Sequence, residues 1–339
     1  MATALVPRKT KFTVVGDLMV DEYVSGEVRR ISPEGPIPIM EYGGIRRVPG
    51  GAANVALNLA GLGGDITVYG VVGDDEAGAW LRSYLEEHGV AVRGVIVDES
   101  RPTTRKVRFT ASEHVMLRVD YESTAQVTSS VGSMLAERLL DEHDRYPAAI
   151  LVSDYNKGCL VGEVERNPLL RALRTFADGN FLVGVDTKRV GPALREAYSG
   201  FDFAKPNLAE FQRVVGHEVR PETAHLTSAA QVYLQLAGTR AVVVSLGAAG
   251  LFFCDAATAL HVETVPSAVY DVTGAGDTVL ATLAMAVTGG SDWLTALRLA
   301  NIAASIVIGY HGTRPITRAE LNRRSHGKER IPFVRVDIA

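Results

Sequence analysis

Cysteine is nearly missing from this 339-residue chain: Cys159 and Cys254 are its two. They form neither a Cys-x-x-Cys pair nor a disulfide framework, which fits a reducing, cytoplasmic setting. Long apolar runs are lacking too. The best candidate, 299–308, is broken by Asn301 and falls short of the roughly 18 residues of a membrane span. Met1–Lys11 has no apolar core of the kind a secretion signal carries. Nor is there surplus positive charge: 35 Lys+Arg stand against 39 Asp+Glu, a net charge of -4. That excludes the basic face that nucleic acid or an anionic membrane requires. Repeats, low-complexity segments and obvious linkers are also absent. Hydrophobic residues at 47% and charged residues at 22% exclude wholesale disorder. The expectation is a soluble intracellular protein. Glycine, at 33 residues, is in mild excess, and its clusters repay attention.

Strands and helices alternate along the chain. Apolar runs at 12–15, 66–72, 92–97, 148–152, 181–185 and 241–245 predict buried strands. Helices are predicted over 77–87, 127–142, 169–177, 208–215 and 224–237, and another starts just after Gly50-Gly51. Two more, 275–287 and 293–308, are apolar nearly all round and predict burial. This rhythm implies βαβ units and a mostly parallel sheet covered on both faces. The β-rich stretches 22–49 and 103–120 break it, and predict a small second sheet acting as a lid. From Arg323 the chain turns charged, predicting a solvent-exposed tail over 323–339.

The strongest chemical signal is Asp271-Val-Thr-Gly-Ala-Gly-Asp277-Thr, opening an apolar helix. Gly274, Ala275 and Gly276 would aim unpaired N–H groups outward at the positive end of the helix dipole. Asp277, just inside that turn, could accept a proton from a hydroxyl placed beside the bound anion. Charge stabilisation plus a base is what phosphoryl transfer needs. The second signal, Gly50-Gly51-Ala-Ala-Asn54, lets a ligand approach the backbone and offers an amide to sugar hydroxyls. A lone Gly-x-Gly is more often an ordinary glycine turn, but the full octapeptide before a buried helix reverses that balance; the Gly50–Asn54 stretch alone is equally consistent with a plain helix entry.

In this order and at this separation the two motifs resemble the signatures of the ribokinase-like (PfkB) carbohydrate kinases. Gly73-Asp-Asp75-Glu-Ala-Gly78, Asn207-Leu-Ala-Glu210 and Ser245-Leu-Gly247-Ala-Ala-Gly250 agree. The resemblance covers about residues 11–322 and implies an α/β ribokinase-like fold with a small β-sheet lid. It implies Asp277 as the catalytic base, with Gly274, Ala275 and Gly276 as the anion hole for the γ-phosphoryl of ATP. Asp17, Gly50, Gly51 and Asn54 would bind sugar hydroxyls. Asn207 and Glu210 would support Mg²⁺ and the triphosphate, Glu210 through water. Ser245, Gly247 and Gly250 would form the nucleotide loop, with Asn301 near the adenine. Bland readings stand beside these: Asp17 as a loop cap, Glu210 as a solvated helix residue, Asn301 as a partner for buried backbone.

Arg30-Ile-Ser32-Pro33-Glu34-Gly-Pro36-Ile-Pro38, Ser153-Asp154-Tyr155-Asn-Lys157-Gly158 and Tyr270-Asp271-Val272 resemble the heptose-7-phosphate kinases of lipopolysaccharide core assembly. That implies transfer to the anomeric hydroxyl of D-glycero-β-D-manno-heptose 7-phosphate, giving the 1,7-bisphosphate. A substrate already bearing phosphate needs cations away from the transfer point. Arg108, Arg118 and Lys157 are the candidates, and strand alternation puts Lys106 and Arg108 on one face and Arg105 on the other. The family also implies a homodimer through the lid. Some similar kinases are fused to a nucleotidyltransferase. The length here leads to the expectation of a single-function kinase, with that activity on another protein. Another sugar phosphate, a nucleoside, or a catalytically silent sensor are the competing readings.

Overall fold

The structure, a computed structural model, describes residues 7–112, 114–141, 147–177, 179, 181–265, 268–310, 312–326 and 331–338. Strands β1 (Lys11–Gly16), β2 (Leu18–Ile31) and β3 (Pro38–Gly51) lead into α1 (Ala52–Gly61), β4 (Asp65–Val72), α2 (Glu76–Glu87) and β5 (Val90–Val97). There follow β6 (Thr104–Ala111), β7 (His114–Tyr121), α3 (Ser129–Asp141), β8 (Ala149–Asp154), α4 (Pro168–Arg174) and β9 (Leu182–Thr187). Next come α5 (Pro192–Tyr198), β10 (Phe203–Ala204), α6 (Leu208–Val215), α7 (Thr223–Ala237), β11 (Ala241–Ser245), β12 (Leu251–Cys254) and β13 (Thr258–Val262). The chain ends with α8 (Ala275–Thr288), α9 (Trp293–Val307), α10 (Arg318–Ser325) and β14 (Phe333–Asp337). Residue 142 of the predicted third helix and residue 113 of the predicted hairpin lie outside the described residues.

Ten strands form one sheet in the order β14-β13-β12-β11-β10-β9-β8-β1-β4-β5. From β11 to β5 every neighbouring pair is parallel, and the β11–β14 end is antiparallel. Both faces are buried, as such a sheet requires. Phe12, Val14 and Val243 pack on the side of α1, α8 and α9, while Val15, Val242 and Val244 pack with Leu170, Leu194 and Tyr233 on the other. Asp277 to Ala286 of α8 are buried without a break, in line with its all-round apolar sequence. Among the described residues no helix is long and apolar enough to cross a membrane.

The predicted tail is largely exposed at Phe333–Asp337, as expected, but it is regular structure there; residues 327–330 and 339 of it lie outside the described residues. Phe333–Asp337 pairs antiparallel with β13 and forms an edge of the large sheet. The alternation Phe-Val-Arg-Val-Asp is a strand pattern, outweighed in the sequence reading by the charge around it.

The second sheet has the order β3-β2-β6-β7. Two of its connections to the main body are direct: one residue, Asp17, separates β1 from β2, and β3 runs straight into α1. Asp21 pairs with Lys106 and Tyr23 with Arg108, while Arg105 reaches Glu22 on the opposite face. The predicted partition of these cations therefore holds. Because β1, β8, β9, β10 and β11 are adjacent and parallel, their C-terminal ends line up beneath this sheet. Open α/β sheets carry their sites at such ends.

Candidate active site

The turn Val272–Gly274 delivers α8 into the centre of this region. Gly274 caps the helix at φ +78°, a conformation that other L-residues resist. A Cβ there would lie 2.6 Å from Thr313 Cγ2 and 2.7 Å from Asn54 Nδ2. The glycine thus lets α1 and α8 meet. Ala275, expected among the anion donors, gives its N–H to the Val272 carbonyl at 3.2 Å, leaving Gly276 and Asp277 to open the first turn.

Asp277 is 3% exposed. Its Oδ2 accepts from Asn54 Nδ2 at 2.7 Å and its Oδ1 from the Tyr155 hydroxyl at 3.1 Å. Asn58 fixes the orientation of the Asn54 amide by donating to Asn54 Oδ1 at 3.1 Å, so that the Nδ2 of Asn54 turns to Asp277. Burial above all, with the charge of Asp186, pushes the Asp277 carboxyl up to about 6 against the opposing pull of Asn54, Lys205 and Tyr155. A buried acid with that value is a suitable general base near neutral pH.

Two cations lie alongside. Lys205, buried directly after β10, sets Nζ 2.8 Å from Asp186 Oδ2, and a Cβ on Gly276 would fall 3.2 Å from that ammonium. The small residue at 276 therefore brings a fixed positive charge against the helix start. Lys188 lies between Asp186 Oδ1, at 3.6 Å, and Glu210. The Asn207–Glu210 motif forms a reciprocal cap at the start of α6, each side chain accepting from the other residue's N–H at 2.9 Å. The remaining Glu210 oxygen meets Lys188, so Glu210 is buried and ion-paired, not the solvated residue of the bland reading. Among the described residues no three His, Cys, Asp or Glu side chains converge as metal ligands.

A cavity of about 450 Å³ opens beside the turn, lined by Ser245, Gly247, Gly250, Gly276, Asn301 and apolar residues including Val265, Val279 and Ile308. Every residue expected at the nucleotide loop and the adenine thus borders one space that reaches the anion turn. Ser245 Oγ is buried there with no hydrogen-bond partner, an open polar position for a ligand. Asn301 Nδ2 donates to the Glu263 carbonyl at 2.7 Å, so this residue braces backbone while lining the cavity.

On the sugar side, Asp17 is 2% exposed. Its Oδ2 accepts from the N–H of Tyr155 (2.9 Å) and Lys157 (3.0 Å), and its Oδ1 from Cys159 (3.2 Å). Asp17 therefore anchors the loop after β8. Gly50 and Gly51 end β3, opposite Met19 and Leu18; the side chain of Asp21 covers Gly50. The three expected phosphate-gripping cations all have carboxylate partners: Arg108 has Asp21, Lys157 has Glu122 at 2.6 Å, and the half-exposed Arg118 has Asp120 at 2.8 Å.

The sequence reading missed Tyr155, Asp186, Lys188 and Lys205. Tyr155, Lys188 and Lys205 directly follow parallel strands, Asp186 is the last residue but one of β9, and Lys205 precedes Pro206-Asn207. Strand ends in a parallel sheet were the signal that could have found them.

The profile described as "pfkB family carbohydrate kinase" matches residues 9–319. The Bifunctional protein HldE of Bradyrhizobium diazoefficiens is 39% identical over 315 residues, covering 91% of this chain and 62% of that protein. Its counterpart in Shewanella sediminis is 37% identical over 336 residues, 97% of this chain and 67% of that protein. The chain thus spans about three fifths of the length of the first of these relatives. Among solved structures, Escherichia coli phosphofructokinase-2 with substrates and products superposes at a TM-score of 0.76 and 19% identity, covering 95% and 100% of the two chains. Arabidopsis thaliana ribokinase with ribose and ATP gives 0.72 at 20% identity, covering 93% and 98%. These likenesses show a ribokinase-like fold, as the sequence motifs implied.

Proposed function

The chain belongs to the pfkB family of carbohydrate kinases, and from that premise we propose that it transfers the γ-phosphoryl of ATP to the anomeric C1 hydroxyl of D-glycero-β-D-manno-heptose 7-phosphate. The observation that carries the kinase part is Asp277, a buried carboxylate on the first turn of α8, with Lys205 against the same turn. Asp277 takes the proton of the acceptor hydroxyl as its oxygen bonds to the phosphorus; the bond to the β-phosphate oxygen breaks and ADP leaves with that electron pair. The N–H groups at the start of α8 and the Lys205 ammonium stabilise the charge on the transferred group. The cavity at Ser245 and Asn301 fits the nucleoside by size and by its open Ser245 hydroxyl. Mg²⁺ would neutralise the phosphates, held chiefly by their oxygens and waters, with Glu210 as a water-mediated partner. The second sheet closes over the acceptor and excludes water.

The heptose reading is supported by the Ser32-Pro33-Glu34 and Ser153–Gly158 stretches, by the HldE relatives, and by Lys106 and Arg108 on one face of the lid. Binding the distal phosphate would displace carboxylate partners such as Asp120 or Glu122 from these cations. The kinase domain is assigned to 11–322, with the lid over 22–49 and 103–120. Incubation with ATP and a panel of acceptors, reading ADP release, is expected to single out heptose 7-phosphate. Turnover confined to unphosphorylated sugars or nucleosides would overturn the assignment, and no ADP release with any acceptor would favour a silent sensor.

A homodimer through the lid forms part of the proposal. Ile45, Val24, Phe109 and Leu117 make one apolar row across all four lid strands, with Ile45 48% and Leu117 57% exposed. Covering such a row on an open sheet favours pairing with a second copy. Light scattering at micromolar concentration is expected to give twice the chain mass, and Leu117→Glu to give a monomer. A monomeric parent protein would remove the dimer from the account.

A further inference from the structure

The loop that follows β8 touches the base directly. Asp17 anchors the backbone of this loop at residues 155, 157 and 159, and Tyr155 turns its ring toward α8. One residue thereby joins two buried acids from different parts of the chain: its N–H binds Asp17 and its hydroxyl binds Asp277. The Lys188 ammonium sits 4.7 Å from the centre of the same ring, a cation–π contact that restrains the ring plane.

We infer, resting on the kinase reading above, that Tyr155 is a positioning residue for the base: its hydroxyl holds Asp277 Oδ1, complementing the grip of Asn54 on Oδ2. The carboxylate is then gripped from two sides, by α1 and by the β8 loop, and its rotation is fixed before the acceptor hydroxyl arrives. Each oxygen keeps a second lone pair for that proton. Pre-setting a reacting group in this way lowers the barrier by removing reorganisation from the reaction step.

Tyr155 is suited to remain a donor throughout. Burial, with the nearby charges of Asp277 and Asp186, pushes its phenol well above its ordinary value, so it stays protonated across the working pH range. A donor to the ionised form of an acid favours ionisation. Other groups facing Asp277 are Asn54 from α1, Asp186 and Lys188 at the end of β9, and Lys205 after β10. Removing the hydroxyl leaves all of these in place. Asp277 should then ionise at higher pH, so the acid limb of the rate profile moves upward.

The test is Tyr155→Phe, which keeps the ring and deletes one oxygen. kcat is expected to fall on the order of tenfold, with KM for the sugar little changed. The acid limb of kcat, falling in the parent near the Asp277 value of about 6, is expected to move up by roughly half to one pH unit. A drop in activity with an unmoved acid limb, or a lowered denaturation midpoint alone, would overturn the inference, since a merely structural role moves neither limb. A second readout needs no turnover: carbon-13 titration of the Asp277 carboxyl should give a higher midpoint in the variant. If the parent transfers phosphate to no sugar, the kinase reading fails; if that carboxyl titrates identically in both proteins, this inference fails.

Discussion

Asp277→Asn is expected to lower kcat by about 10²- to 10⁴-fold while leaving nucleotide binding and folding intact. Asparagine has the same shape and can still accept from Asn54 or Tyr155, but it cannot take the acceptor's proton. The helix start and Lys205 remain, so residual turnover above the uncatalysed rate should persist. Stability should not suffer, and the sign can be worked out. Asp277 is raised in the folded protein to about 6 from 3.8, so folding favours its protonated form. Its contribution to stability is present at low pH and is lost as pH rises through about 6. At pH 8 the parent carries a buried charge that the variant lacks, so the variant's denaturation midpoint should match or exceed the parent's. At pH 4 that advantage should shrink. Near-parental kcat in the variant would remove Asp277 from the mechanism.

The second large effect is on stability. Lys205→Met keeps the unbranched apolar stem and removes the charged end, leaving Asp186 buried with only Lys188, at 3.6 Å, in compensation. Burial alone would raise the Asp186 carboxyl, but Lys205 and Lys188 outweigh it and hold the group below its ordinary value. Both Lys205 and Asp186 side chains are under 5% exposed, so solvent does not screen the pair. Breaking a buried pair from one side costs about 3–5 kcal/mol, and urea unfolding at pH 8 should show a loss of that order. With the partner gone, Asp186 gains a raised value, so its penalty grows as pH rises and shrinks as it falls. The deficit should therefore be smaller at pH 5 than at pH 8. The variant should also turn over more slowly, because the ammonium beside Gly276 is gone. A loss below about 1 kcal/mol at both pH values would show that the pair behaves as if exposed.

The alternation of apolar strands and helices made the large parallel sheet legible, because burial on both faces leaves continuous runs such as Phe12–Val15. The two glycine motifs were legible because a helix start that approaches another chain segment tolerates little else at Gly274. The partners of Asp277 were less so. Asn54 lies 223 positions away and Tyr155 lies 122 away, and no local pattern pairs them; topology alone brings β8 and α1 to α8. The apparent tail misled for a different reason. This edge strand is short, mostly exposed and set among charged residues, with only Val336 of Phe333–Asp337 packed on the core, so its alternation is too brief to outweigh the charge around it. The cations of the lid were assigned to the correct faces by strand alternation, but their neutralisation by Asp21, Asp120 and Glu122 depends on cross-strand and loop contacts that the sequence does not spell out.

The most direct test of the account is the product formed from MgATP and D-glycero-β-D-manno-heptose 7-phosphate, read by phosphorus-31 and proton NMR. The account predicts stoichiometric ADP and a new phosphate on C1, coupled to the anomeric proton, with the 7-phosphate intact. Phosphorylation at any other carbon, or a heptose 7-phosphate left untouched while another sugar is consumed, would contradict it.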